Sequence, residues 1–182
     1  MLPPGHVAAG FLSAQALLQI IKPDLSVTQD HSLLWWGAFW SFAPDLDTFW
    51  AFIKVKALYY NQKDNSIHRQ FLTHIPLLWL IPALLIHFLA QSQYWRMFGL
   101  VMLAGSWSHF LLDSLEYGVM WLWPFNRHVW AFKNSGIKHQ LSGDTFWAYW
   151  KNFLKYYLKR LTFYCEAAAI LTAAAVLIQL IK

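Results

Sequence analysis

Charged residues are missing from four long blocks of this sequence, and apolar residues fill those blocks instead of recurring at amphipathic spacing. The blocks, which contain no Asp, Glu, Lys or Arg, are residues 1–21, 70–95, 97–112 and 167–181. Their remaining polar residues are scattered among the apolar ones. A helix of about 20 mostly apolar residues crosses the hydrocarbon core of a bilayer. The pattern therefore predicts an all-α, polytopic membrane helix bundle with about five transmembrane helices. The predicted spans are residues 4–21, 32–53, 72–90, 95–116 and 162–181.

The longest stretch outside the predicted spans is residues 117–161. Within it, Lys151, Lys155 and Lys159 recur at i, i+4 and i+8, with apolar residues between them. This spacing predicts a basic amphipathic helix over residues 145–161 that lies on anionic lipid, with a plain solvated helix as the alternative. Since no repeat or linker divides the chain, we expect one domain over residues 1–182, with its last membrane helix at 162–181.

Composition and charge support a membrane location. Only 13% of the residues are charged, against about 25% in average soluble domains. Of the 14 Lys and Arg residues, four lie in the second connection between spans and seven in the fourth. By the positive-inside rule, this distribution predicts an integral membrane protein with a cytoplasmic N-terminus. The net charge of +5 therefore needs no nucleic acid to explain it, and we expect no nucleic-acid-binding surface.

Ionisable side chains nevertheless occur in or beside the predicted spans, where each costs about 2.5–3.5 kcal/mol on insertion scales. These side chains form four clusters, at His6, at Asp45 and Asp47, at His68 and His74, and at His109 and Asp113. The alternating direction of the helices predicts that the four clusters meet at the cytoplasmic end of the bundle. Four imidazoles and three carboxylates favour zinc, with manganese or iron as alternatives, and are enough for one or two ions. The seven candidate ligands are His6, Asp45, Asp47, His68, His74, His109 and Asp113.

The motifs that carry these residues, in this order, resemble the YdjM-like family of predicted inner-membrane, metal-dependent hydrolases. The resemblance covers residues 5–125. It implies a location in the bacterial inner (plasma) membrane and implies that the cluster residues are metal ligands or neighbours of ligands. This family is distantly similar to zinc-dependent phospholipase C and to single-strand nucleases, in which a His-x3-Asp unit binds clustered zinc. The motifs are His6-x3-Gly10, Pro44-Asp45-Leu46-Asp47, His68-Arg69-x3-Thr73-His74, Ser108-His109-x3-Asp113-Ser114-Leu115 and Trp123-Pro124-Phe125.

The functional hypothesis is metal-assisted hydrolysis of a phosphate ester on a lipid or lipid-linked substrate. Bound zinc lowers the pKa of its water toward about 7, which makes hydroxide available. Asp47 or Glu116 could accept the proton, and the planar guanidinium of Arg69 could hold two phosphate oxygens. Asp47 could instead orient a ligand histidine, and Arg69 could instead be a positive-inside anchor.

Two functions from other classes remain open. Intramembrane Asp and His residues also line ion pathways, so an ion-coupled or proton-coupled transporter is one alternative. A non-catalytic metal-binding membrane scaffold is the other. The sequence identifies neither the substrate nor the oligomeric state.

Overall fold

The described part of the chain is almost entirely helical. The computed structural model describes residues 2–28, 31–47, 53, 71–133 and 145–181. Two 3-10 turns, Ala43–Asp45 and Leu72–His74, lie between longer helices, and among these residues the sole β pairing is a bridge between Val119 and Trp130. In chain order the helices are α1 (Pro3–Ile21), α2 (Leu25–Thr28), α3 (Ser32–Phe42), α4 (Pro76–Leu89), α5 (Gln93–Glu116), α6 (Phe146–Tyr157) and α7 (Leu161–Ile181).

Local sequence explains where several of these helices begin. α1 and α4 start with proline, whose fixed φ suits the first helical turn and whose missing N–H is not needed there. The Ser92 side chain accepts a hydrogen bond from the amide of Trp95 at the start of α5. The Thr145 side chain caps α6 in the same way, through the amide of Ala148. Such caps satisfy amides that the helix itself leaves without partners.

The central helix is α5, which packs against α1, α3, α4 and α7, while α1 also packs against α3 and α7. Glycine allows the closest approach between these helices. A Cβ atom on Gly10 of α1 would lie 2.3 Å from the carbonyl oxygen of Gly37 in α3, and a Cβ atom on Gly105 of α5 would lie 2.6 Å from the same oxygen. Small residues at helix interfaces bring backbones together in this way in membrane proteins.

The main apolar core lies toward one end of the bundle. It joins the later turns of α1 to the early turns of α3 and α5. The opposite end therefore brings together the start of α1 and the ends of α3 and α5. The core residues are Phe11, Ala14, Leu18, Val27, Leu33, Leu34, Ala38, Met97, Phe98 and Val101.

Among the described helices, α5 and α7 are long and apolar enough to cross a membrane. α7 leaves most of its surface exposed, whereas more than half of α5 is buried by its neighbours. α4 has only 14 residues, about 21 Å of helix against a hydrocarbon core of about 30 Å. α3 changes to a 3-10 turn at Ala43–Asp45, because Pro44 lacks a backbone N–H. The predicted all-α fold is confirmed, whereas the count of five transmembrane helices stays a prediction.

The remaining predicted segments agree with the structure to different degrees. The bounds of α1, α5 and α7 lie within two residues of the predictions over 4–21, 95–116 and 162–181. The predicted amphipathic helix is also present as α6, with Lys151 and Lys155 exposed on it, although Lys159 follows its end. Its position on a lipid surface stays a prediction.

Candidate metal centre

Three buried side chains from α1 and α5 form one group that could hold a metal ion: His6, His109 and Asp113. Nε2 of His6 lies 3.5 Å from Oδ1 of Asp113, and Nε2 of His109 lies 3.8 Å from Oδ2 of the same residue. His109 and Asp113 share a helix face because they are four residues apart. The rings of His6 and His109 stack with their centroids 3.9 Å apart. The group is thus built at the end of the bundle opposite the apolar core.

A second group, Asp45, His74 and His109, shares a histidine with the first. Oδ1 of Asp45 lies 3.5 Å from Nε2 of His74 and 3.9 Å from Nε2 of His109. Oδ2 of Asp45 lies 3.9 Å from Nε2 of His6. The two 3-10 turns, Ala43–Asp45 and Leu72–His74, therefore complete one cluster with α1 and α5. The described members of the four sequence clusters thus lie close together, whereas their position at the cytoplasmic end of the bundle stays a prediction.

The spacing of these atoms fits the size of a metal site. Nitrogen and oxygen ligands of a tetrahedral zinc, at about 2.0–2.2 Å from the ion, lie about 3.3–3.6 Å from one another. The five nitrogen–oxygen separations within the cluster are 3.5–3.9 Å. Movements of a few tenths of an ångström would bring them to the tetrahedral values. Because His109 is common to both groups and one imidazole nitrogen binds one ion, the two groups do not describe two independent sites.

The hydrogen bonding of His109 sets the direction of its free electron pair. Nδ1 of His109 lies 2.8 Å from the backbone carbonyl oxygen of Ser41. A carbonyl only accepts hydrogen bonds, so Nδ1 carries the proton, and Nε2 of the neutral ring carries a lone pair. Nε2 is buried without a hydrogen-bond partner among the described residues, and it faces oxygens of Asp45 and Asp113. A lone pair directed at two carboxylates is unfavourable unless a proton or a metal ion lies between them.

The ionisable side chains of the cluster are also removed from water. The His6 and His109 side chains are fully buried, and Asp113 is nearly so. Carboxylates removed from water need a nearby positive charge, which either a protonated imidazole or a bound cation can supply. Both ring nitrogens of His6 lack a hydrogen-bond partner in the described part of the chain. A metal ion bound beside Asp113 would use the lone pair of Nε2, which lies 3.5 Å from Oδ1 of that residue.

Asp47 lies beside the cluster and orients one of its members. Its Oδ2 accepts a hydrogen bond from Nδ1 of His74 at 2.9 Å and another from the hydroxyl of Thr73. With Nδ1 held by this carboxylate, Nε2 of His74 is directed toward Asp45. A carboxylate bound to the outer nitrogen of a histidine is the usual support for a metal-binding imidazole. The contacts of Asp47 therefore match the orienting role considered for it.

Three other predicted site residues are not brought into the cluster by the described structure. Oε2 of Glu116 accepts a hydrogen bond from the Thr162 hydroxyl at 2.8 Å, a contact that joins α5 to α7, and Glu116 is not a member of either group described above. His68 and Arg69 lie outside the described residues. A role for Glu116 in proton transfer and for His68 and Arg69 in binding therefore stays a prediction.

Two supporting groups are absent from the sequence-based set of candidates. One is the backbone carbonyl of Ser41, which holds His109, and the other is the hydroxyl of Thr73, which holds Asp47. Thr73 directly precedes a candidate ligand and has a hydroxyl that can form hydrogen bonds, so its position in the sequence could have indicated a supporting role. A backbone carbonyl offers none, because every residue has one.

Comparison with known proteins identifies the family of this chain. Neither the curated proteins nor the solved structures give a significant match to the chain. A family model does match, over residues 1–182, and its description is YdjM inner membrane protein. A match over the full length includes every motif that forms the His/Asp cluster. The chain therefore belongs to the YdjM inner membrane protein family.

Proposed function

We propose that this inner-membrane protein is a metal-dependent hydrolase that cleaves a phosphate ester of a lipid or lipid-linked substrate. The observation that carries the proposal is the geometry of His109. Its Nε2 lone pair points at two carboxylates in a buried cluster, with its other nitrogen held by a backbone carbonyl. This arrangement suits a divalent transition metal, most naturally zinc, with manganese or iron as alternatives.

The residues of the cluster divide into those that would hold one or two ions and those that would orient the holders. His6, Asp45, His74, His109 and Asp113 would be the ligands, and Asp47 and the Ser41 carbonyl would fix the directions of His74 and His109. When bound, the metal supplies hydroxide at neutral pH and polarises a phosphoryl oxygen. Of the two predicted proton acceptors, Asp47 lies beside the cluster, whereas Glu116 is engaged by Thr162.

The same proposal includes a membrane topology with five spans. Five spans would place the N-terminus and the Lys-rich and Arg-rich connections in the cytoplasm, with the His/Asp cluster at that face. A site at the membrane surface has lipid phosphates as its nearest phosphate esters. Arg69, next to the candidate ligand His68 in the sequence, would bind two substrate phosphate oxygens.

Turnover of phosphate esters by the metal-replete protein tests this function. We would screen phospholipids, isoprenoid phosphates and nucleotides and then compare two variants on the substrate found. Arg69→Lys should keep the metal but lower kcat/KM by about 10- to 150-fold, since a charge-assisted hydrogen bond is worth about 1.5–3 kcal/mol. His109→Ala should lose both metal and turnover. Arg69→Lys activity within about twofold of wild type would contradict the role of Arg69.

The screen also separates hydrolysis from the other functions. A metal-loaded wild-type protein that cleaves none of these esters would contradict the hydrolase and favour a metal-binding scaffold. Metal-dependent or proton-dependent flux across proteoliposomes without ester cleavage would favour a transporter. The position of the cluster at one end of the bundle, away from the apolar core, favours the hydrolase, because transporter sites lie near the midplane.

A further inference from the structure

The segment after α5 carries large apolar side chains on its surface. We call residues 117–133 the aromatic loop. Within it, the exposed fractions are 64% for Leu122, 95% for Phe125, 43% for Trp130 and 67% for Phe132. Exposed apolar side chains gathered in one short segment mark contact with another protein or with a membrane.

The aromatic loop is held in place on the end of α5. Val119 and Trp130 exchange two backbone hydrogen bonds of 2.9 Å each, and the amide of Phe132 donates to the carbonyl of Ser114 at 2.7 Å. Nε1 of Trp121 donates to the Ser114 hydroxyl, also at 2.7 Å. These contacts fix the loop backbone, so the exposed apolar side chains project from an ordered support.

The position of the aromatic loop points to lipid. It begins directly after α5, which ends at Glu116 and is long and apolar enough to cross a membrane. The loop thus lies where a membrane helix would leave the hydrocarbon layer. Trp130 suits this depth, because the headgroup region solvates the indole N–H while the acyl chains contact its apolar face. Phe and Leu side chains bury their apolar surface at the boundary between headgroups and acyl chains.

The charge of the aromatic loop favours lipid over a second copy of the chain. The loop contains no Asp or Glu, and its Arg127 and Lys133 are exposed. Lys151 and Lys155 of α6 add further exposed cations in the following segment. Anionic headgroups attract such cations, whereas two copies apposed through this loop would bring like charges together.

We propose that the aromatic loop inserts Phe125 and its apolar neighbours into the interfacial layer of an anionic membrane. The insertion fixes the height of the α5 end that carries Asp113, and with it the His/Asp cluster, at the level of the lipid headgroups. The inference rests on membrane residence and on the exposed side chains. It does not depend on hydrolase activity, so either one can fail without the other.

Spin-label depth measurements test the insertion directly. A nitroxide is attached at Phe125→Cys in a Cys165→Ala background, in nanodiscs of phosphatidylcholine and phosphatidylglycerol. Collisions with oxygen report exposure to lipid, and collisions with a water-soluble nickel chelate report exposure to water. Two exposed reference positions calibrate the scale: Leu171→Cys in the middle of α7 for lipid, and Ser26→Cys in α2 for water. A label at Phe132→Cys provides a second site if the first variant misfolds.

The expected result is a depth of about 5–10 Å below the lipid phosphates, with nickel collisions well below those at Ser26. Nickel collisions equal to those at Ser26 would overturn the proposal by placing the loop in water. Low collision rates with both reagents, together with dipolar broadening that vanishes on dilution with unlabelled protein, would overturn it in favour of contact between two chains.

Discussion

The direction of each imidazole in the cluster is set by the partner of its outer nitrogen. A backbone carbonyl holds Nδ1 of His109, and the Asp47 carboxylate holds Nδ1 of His74. Both rings therefore turn Nε2 inward, toward Asp45. Such supporting contacts decide whether a set of donors is a metal site, because a ligand that rotates freely loses much of its affinity.

Asp47→Asn tests the orienting role of this carboxylate. The variant keeps the size of the side chain but removes the charge that holds the Nδ1 proton of His74. We expect metal affinity, measured by competition with a chelator on purified protein, to fall by about 10- to 100-fold. Glu116→Gln, which changes another buried carboxylate bonded to Thr162, should leave the affinity unchanged. Wild-type affinity in Asp47→Asn would show that His74 needs no such support.

The sequence identifies the candidate metal ligands better than the groups that orient them. The i, i+4 spacing of His109 and Asp113 predicts a shared helix face, and the structure confirms their proximity. The carbonyl of Ser41 could not be predicted, since its role depends on how α3 packs against α5. Glu116 also follows the helical spacing of His109 and Asp113, yet it contacts Thr162 of α7, which periodicity within one helix does not reveal.

Close packing at Gly10 positions α1, the helix that carries His6, against α3. A Cβ atom at Gly10 would meet the Gly37 carbonyl oxygen at 2.3 Å and Cβ of Ser41 at 2.4 Å. Backbone atoms cannot move away as a flexible side chain can. The close approach of α1 to α3 therefore depends on glycine at this position, four residues from His6.

Gly10→Ala should destabilise the protein by about 1–3 kcal/mol, the usual cost of overpacking. The lower stability should appear as a lower thermal unfolding midpoint in detergent, accompanied by weaker metal binding because α1 is displaced. Val7→Ala, at a partly exposed position of the same helix, should change stability by no more than about 0.5 kcal/mol. An unchanged midpoint in Gly10→Ala would mean that the contact between α1 and α3 is looser than the structure indicates.

Long apolar runs predicted the bounds of α1, α5 and α7 because nothing in those sequences interrupts the helical backbone. The second predicted span, 32–53, begins with α3 but is interrupted at Ala43–Asp45, and its residues 48–52 lie outside the described part of the chain. The third predicted span, 72–90, becomes α-helical only at Pro76. Their apolar character continues through Pro44 and through residues 72–74, where the backbone forms 3-10 turns. Hydrophobicity alone does not register such changes, and they are what bring Asp45 and His74 to the cluster.

For the whole molecule, the distribution of Lys and Arg predicts one orientation in the membrane. The connection after α5 carries seven of the 14 basic residues, whereas the connection after α1 carries Lys22 alone. These two connections should lie on opposite sides if five helices span the bilayer. The cluster would then lie at the cytoplasmic face of the membrane, and its metal and substrate would come from that side.

Cysteine labelling in intact cells tests this orientation. In a Cys165→Ala background, Ser26→Cys should react with an impermeant thiol reagent, whereas Lys133→Cys should react only after permeabilisation. Both positions are exposed on the protein, so a difference in labelling reports the side of the membrane. Labelling of Lys133→Cys from outside would reverse the orientation and make a lipid of the outer leaflet the expected substrate.

The metal content of the purified protein tests the central claim that the buried His/Asp cluster is a metal centre. After mild detergent extraction, elemental analysis should find about one to two zinc, manganese or iron ions per chain. Asp113→Asn should elute as the folded wild-type species with most of this metal lost, and Glu116→Gln should retain it. Fewer than about 0.2 ions per wild-type chain, with no uptake of added zinc or manganese, would show that the His/Asp cluster is not a metal centre.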